Sequence, residues 1–174
     1  MRAAPTTSTT NPPGSATPAS GSHNDADVMF ASMMIPHHQQ AIQMSDMMLT
    51  KDGLNAQVIA LARQIKAAQG PEITTMSGWL AGWELNPSPS MAMDHDMGGG
   101  TMSQAEMDAL DTATGKDAAQ LFLAGMIKHH QGAITMARQE IATGQNPEAK
   151  QLARNIIDAQ RAEIATMDTL LGRL

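Results

Sequence analysis

The sequence predicts an all-α protein, a four-helix bundle assembled from a duplicated two-helix unit with a long connector between the copies. Three observations carry that prediction. The chain repeats itself, each repeat has helical periodicity, and turn residues fall where the periodic stretches stop.

The repeat is found by self-comparison. Sliding the chain by 92 positions sets Phe30, Met34, Ile35, His37, His38, Gln39, Ala41, Ile42 and Met44 on identical residues from Phe122 to Met136. A slide of 91 matches Ala62, Arg63, Ile65, Ala68, Gln69, Glu72, Ile73, Thr75 and Met76 with the block from Ala153 to Met167. Each copy therefore holds two conserved-in-repeat segments, one rich in His and Met and one ending in Glu and Met.

Taken in chain order, residues 1–24 are Pro, Ser, Thr and Ala with too few apolar side chains to pack, and they read as a disordered tether. No apolar run follows Met1-Arg2, so no signal peptide is predicted there. A tether of this kind fits a chain that follows a removed export signal or a lipid-anchored residue, and the expected location is outside the cytoplasm: periplasm, cell surface or medium.

Residues 25–174 form the single predicted domain. In unit one, residues 25–83, Phe30, Met34, His37, Ala41, Met44 and Met48 alternate steps of four and three, the spacing of a buried helix seam. Val58, Ala62, Ile65, Gln69 and Met76 make the second helix, started by Asn55. In unit two, residues 117–174, Phe122, Met126, His129, Ala133 and Met136 repeat the seam. Leu152, Ile156, Ala159 and Met167 follow, after a start at Asn146-Pro147. Gly53 and Gly144 mark the turns. Pro36 and Gly70-Pro71 fall inside periodic stretches whose partners in unit two continue, so they read as kinks, not ends. The connector, residues 84–116, carries Met91, Met93, His95 and Met97, then three glycines, then a capping box at Ser103–Glu106 that predicts a short helix over about 104–112.

Composition narrows the function. The net charge is −6 with no basic stripe, which argues against nucleic acid, and no apolar run reaches membrane-spanning length. Cysteine is absent while methionine reaches 16 residues, beyond what a core needs as filler. Any soft-metal chemistry must use thioether and imidazole, donors that suit Cu(I) and Ag(I) better than Zn(II) or iron. The candidate core ligands are His37, His38, His129 and His130 with Met34, Met44, Met126 and Met136. A pseudo-two-fold axis should bring the two seams face to face. The connector set Met91, Met93, His95 and Met97 is a candidate auxiliary capture loop.

Competing readings follow from the same residues. The histidines could be core residues satisfied by Gln39, Gln131, Gln69 and Gln160, in a metal-free structural or interaction bundle. A di-iron oxidase would need a Glu-x-x-His on two helices, where this chain has Met34 and Met126 three residues before the first His of each pair. Glu72 and Glu163 alone are too few carboxylates for it. No nucleophile elbow, phosphate loop or zinc-protease motif is present. A redox enzyme built on the bundle metal is the weaker alternative.

The stretches DVMFASMMIPHHQQAIQM and FLAGMIKHHQGAITMA closely resemble the paired motifs of a bacterial family known as domain of unknown function 305. The resemblance covers residues 25–174 and implies a ferritin-like four-helix bundle, exported or lipid-anchored, with some members similar to periplasmic copper-binding proteins. It points to the same eight core His and Met residues. It also implies an Asp three residues before the motif Phe; Asp27 supplies it, whereas unit two has Ala119. If that Asp orients a ligand, the second copy should bind differently or only pack. The expected function is copper or silver binding, Cu(I) foremost and Ag(I) or Cu(II) as alternatives, for sequestration or hand-over without catalysis.

Overall fold

The structure, a computed structural model, describes residues 21–83 and 99–174. Most of the expected tether and the whole of the Met91, Met93, His95 and Met97 segment lie outside the described residues. Five helices follow one another: α1 (Asp25–Leu49), α2 (Ala56–Gly82), α3 (Gln104–Thr112), α4 (Gly115–Thr143) and α5 (Pro147–Leu171). The bundle is α1, α2, α4 and α5, and the short α3 lies against α1 and α4.

Local chemistry sets each boundary. Asn24 caps α1 by accepting from the Ala26 and Asp27 amides, and the Asp27 carboxylate accepts the Asn24 amide in return. Asn55 and Asn146 cap α2 and α5, and Ser103 with Glu106 forms the capping box of α3. The α1–α2 turn needs Gly53, whose φ of 73° is costly for any residue with a Cβ. Gly144 has another reason: its φ is −67°, but a Cβ there would stand 2.1 Å from Glu140 Oε1. Helices α1 and α2 run on through Pro36 and Pro71.

The seams are buried as predicted on α1, α2 and α4. On α5 Ile156 and Met167 are buried as expected, but the other two positions differ. Ala159 is exposed and Leu152 half-buried, while Ala149, Ala153, Ile156, Gln160, Glu163 and Met167 face inward. Helix periodicity alone left that phase open, because Ala is apolar enough for either side.

Helices α1 and α2 pair as one hairpin, α4 and α5 as the other, and α1 meets α4 across the middle. The core is split in two. One apolar cluster contains Phe30, Met34, Met76, Trp79 and Met136; the other contains Met44, Met48, Met102, Phe122, Met126 and Met167. Between them, at mid-height of α1 and α4, come the histidines.

Candidate metal centre

All four paired histidines are fully buried. The seam puts His37 and His129 on the facing sides of α1 and α4, and their rings meet with centroids 3.6 Å apart at an interplanar angle of 38°. His130 lies 6.3 Å, ring to ring, from His129. The two copies of the motif thus build one imidazole layer across the bundle.

The second histidine of each pair is held from its own hairpin. His38 Nε2 is 2.7 Å from Glu72 Oε2, and His130 Nε2 is 2.7 Å from Glu163 Oε2. A carboxylate can only accept, so Nε2 carries the proton and Nδ1 is left for another partner. No group among the described residues reaches it in either ring. His37 and His129 have no hydrogen-bond partner on either nitrogen among the described residues; the main chain of His37, near the His129 ring, falls short of bonding geometry. Six buried ring nitrogens are therefore unpartnered, in a setting where each ordinary orphan costs about 1–3 kcal/mol.

Burial, then the neighbouring His38 and His130, push the His37 ring down to about 3. Burial and the other three imidazoles hold His129 well below its ordinary range. Both rings are neutral at pH 7 and present lone pairs without having to lose a proton, which is the state a metal requires.

The methionines divide. Met34 and Met136 belong to the cluster on one side of the imidazole layer, Met44 and Met126 to the cluster on the other. The four thioethers do not all gather in one place: antiparallel packing of α1 on α4 puts one pair in the cluster on each side of the imidazole layer. Among the described residues no three His, Asp or Glu side chains are placed to hold an ion by themselves. The glutamine network is also corrected. Gln39 and Gln131 face solvent, and Gln69 and Gln160 are buried with atoms that find no partner.

Asp27 has a different task from the one the resemblance suggested. It accepts the amides of Asn24 at 2.7 Å, Gln145 at 3.1 Å and Asn146 at 2.9 Å, tying the start of α1 to the α4–α5 turn. Burial would raise its pKa, but these amides and the adjoining Glu140 carboxyl lower it overall. Asp27 touches no imidazole nitrogen, and Ala119 in the second copy says nothing about ligation.

Two further features escaped the sequence reading. Glu72 and Glu163 orient imidazoles; they match each other in the repeat, a signal that was available. Met102, just past the connector glycines, is clamped by Gln40, whose amide group donates to its carbonyl and accepts from its N–H, both at 2.9 Å. A Cβ on Gly125 would stand 2.7 Å from Met102 Sδ and 3.4 Å from Met44 Cε, so these two methionines share one position beside α4. Gly99 and Gly100 cross α4 at Gly132, where a Cβ would come within 1.8 Å of the Gly99 carbonyl oxygen.

An all-α bundle with a duplicated, fully buried His–His layer is the class that fold and site define. The sequence profile of the family described as domain of unknown function (DUF305) matches residues 27–171, and the chain belongs to that family. Two solved DUF305 structures are similar at 34% identity. One, a Streptomyces coelicolor protein described as secreted, has a TM-score of 0.77, with 85% of this chain and 93% of that one covered. The other, a fragment from Deinococcus radiodurans, has a TM-score of 0.76 and covers 91% and 100%. CopM in its Cu(II)-bound form is 35% identical with a TM-score of 0.73 over 84% of this chain and 96% of CopM. CopM has also been solved in Cu(I)-bound and Ag-bound forms. Among curated sequences, the mimivirus protein L153 is 44% identical over 50 residues, which span 29% of this chain and 33% of the viral one. No helix among the described residues is long and apolar enough to cross a membrane.

Proposed function

We propose that the protein is an exported, non-catalytic binder of Cu(I), with Ag(I) as a close substitute and Cu(II) accepted by the imidazoles, acting in sequestration or hand-over of copper. The observation that carries this reading is the set of six unpartnered ring nitrogens in a fully buried layer. A purely structural layer would leave that many polar atoms uncompensated. The Glu72 and Glu163 carboxylates hold the second-histidine rings as carboxylates hold ligating histidines in metal sites.

In this reading His37 and His129 are the central ligand pair, and the unpartnered Nδ1 atoms of His38 and His130 are donors to either side of it. Met34 with Met136, or Met44 with Met126, adds thioether sulfur from either side. Soft sulfur and neutral nitrogen favour a monovalent soft ion. Full burial of the rings suits retention of an ion more than turnover of a substrate. Met91, Met93, His95 and Met97 would capture ions ahead of the core. The copper- and silver-bound forms of CopM and the secreted description of the Streptomyces relative support the metal class and the location.

Competition for Cu(I) against a colorimetric chelator tests the proposal. The double variant His37→Ala/His129→Ala should bind at least about 100-fold more weakly, as expected when central ligands and not their supports are removed. Binding unchanged by that variant would remove the core site.

A further inference from the structure

The bundle has two grooves between α1 and α4, related by the same pseudo-symmetry that relates the histidines. In one, Leu121, Gly125 and Met44 occupy the repeat positions, and the connector fills the groove by laying Met102 Sδ against Gly125. The other groove carries Met29, Met33 and Met136 at the equivalent positions and is open, a cleft of about 280 Å³. Nothing among the described residues covers it. Met29 is 52% exposed, the most exposed large apolar side chain described, and Met33 is half-buried beside it. Glu140 forms the inner wall: it is 1% exposed, and neither carboxyl oxygen has a conventional hydrogen-bond donor.

Three thioethers around one half-open cleft are hard to assign to packing alone. Leu or Ile would occupy the same volume, and the repeat has Leu121 at the position equivalent to Met29. The spacing is directional as well. Met29, Met33 and His37 follow one another at i, i+4 and i+8 on α1, a single stripe from the cleft to the imidazole layer. On antiparallel α4, Glu140, Met136 and His129 step inward in the same sense.

We infer that the Met29–Met33–Met136 cleft is a second, outer binding site for a soft monovalent cation, from which the ion passes to His37 and His129. Three neutral thioethers lining one cleft are donors suited to Ag(I) or Cu(I) and poor for Zn(II) or Mg(II). Asp25, at the rim of the cleft, compensates the incoming positive charge. The inference deepens the proposed function and rests on the reading of the protein as a soft-metal binder, yet its ligands are distinct except for Met136.

Titration of the [13C-methyl]methionine-labelled full chain with silver nitrate, followed by NMR, tests it. The ε-methyl signals of Met29, Met33 and Met136 should shift together, and should still do so in His37→Ala/His129→Ala. Met29→Leu/Met33→Leu should lose one equivalent of Ag(I) and slow filling of the core at least tenfold, while the Met44 response survives. Met29 and Met33 signals that stay fixed while Met34 or Met44 move would overturn the outer site and leave the core site standing. Movement of Met29, Met33 and Met136 with Met34, Met44 and Met126 unmoved would support the outer site and count against the core.

Discussion

Three residues after the first histidine of each pair, α1 has Gln40 and α4 has Gly132. Both positions seat the end of the connector, by opposite means. Gln40 grips Met102 through both of its amide atoms, and Gly132 makes room for Gly99 and Gly100 to lie on the helix. The hairpins differ in the same way elsewhere. Residues that match across the repeat, His37/His129, His38/His130 and Glu72/Glu163, build the imidazole layer. Residues that do not match, Asp27, Gln40, Gly125 and Gly132, join the halves and close one groove. Repeat identity therefore marks the imidazole layer, and repeat asymmetry marks the assembly and the cleft left open at Met29 and Met33.

The largest test of that division is Asp27→Ala. It strands the Gln145 and Asn146 amides at the α4–α5 turn and should cost about 3–5 kcal/mol in urea unfolding, given bonds to a charged acceptor. Silver and copper stoichiometry should stay the same in the folded variant. A lost equivalent would place Asp27 in the site after all. Gly132→Ala comes next: the clash with the Gly99 carbonyl should lift the connector end at about 1–3 kcal/mol, and proteolysis near the glycines should accelerate.

Glu163→Gln and Glu72→Gln sharpen the comparison from the symmetric side. Each should weaken Cu(I) binding by about 10–100-fold, the usual consequence of losing a carboxylate behind a ligating imidazole. Glu163 should matter more, since its side chain is 7% exposed against 20% for Glu72 and it also accepts from Gln64. Equal effects would mean that burial does not separate the two halves.

The smallest effect concerns pH. Burial, then the adjoining Asp27, pushes Glu140 up to about 8, with Lys150 opposing. The folded state therefore keeps a proton that the unfolded chain releases near its ordinary 4.5. Between those values the native state binds more protons, so this group's contribution is full below about 4.5 and fades as pH rises through 8. Glu140→Gln should flatten the decline in melting temperature over that interval, and an unchanged slope would locate the dependence elsewhere.

Much of this was legible in the sequence because duplication shows itself without any structure. The two blocks gave four helices, the seams from Phe30 to Met48 and from Phe122 to Met136, and the histidines at their centre. The capping box at Ser103 gave α3. What stayed hidden depends on tertiary geometry. Glu72 lies 34 residues from His38, and the contact follows only from the hairpin's register. The split of the methionines into Met34 with Met136 and Met44 with Met126 follows from the antiparallel crossing of α1 on α4. The clasp at Asp27 joins residues 118 and 119 positions apart and has no echo in the repeat. Gly144 ends α4 as expected, but what it supplies there is small size beside the Glu140 side chain and not a left-handed backbone.

The central claim is that the imidazole layer holds a soft ion. Anomalous diffraction from crystals of the full chain loaded with Cu(I) under anaerobic conditions addresses it most directly. A copper peak within bonding distance, about 2 Å, of nitrogens from both His37 and His129 is the predicted result. Copper peaks only at methionines elsewhere, with the four buried rings unchanged, would contradict it.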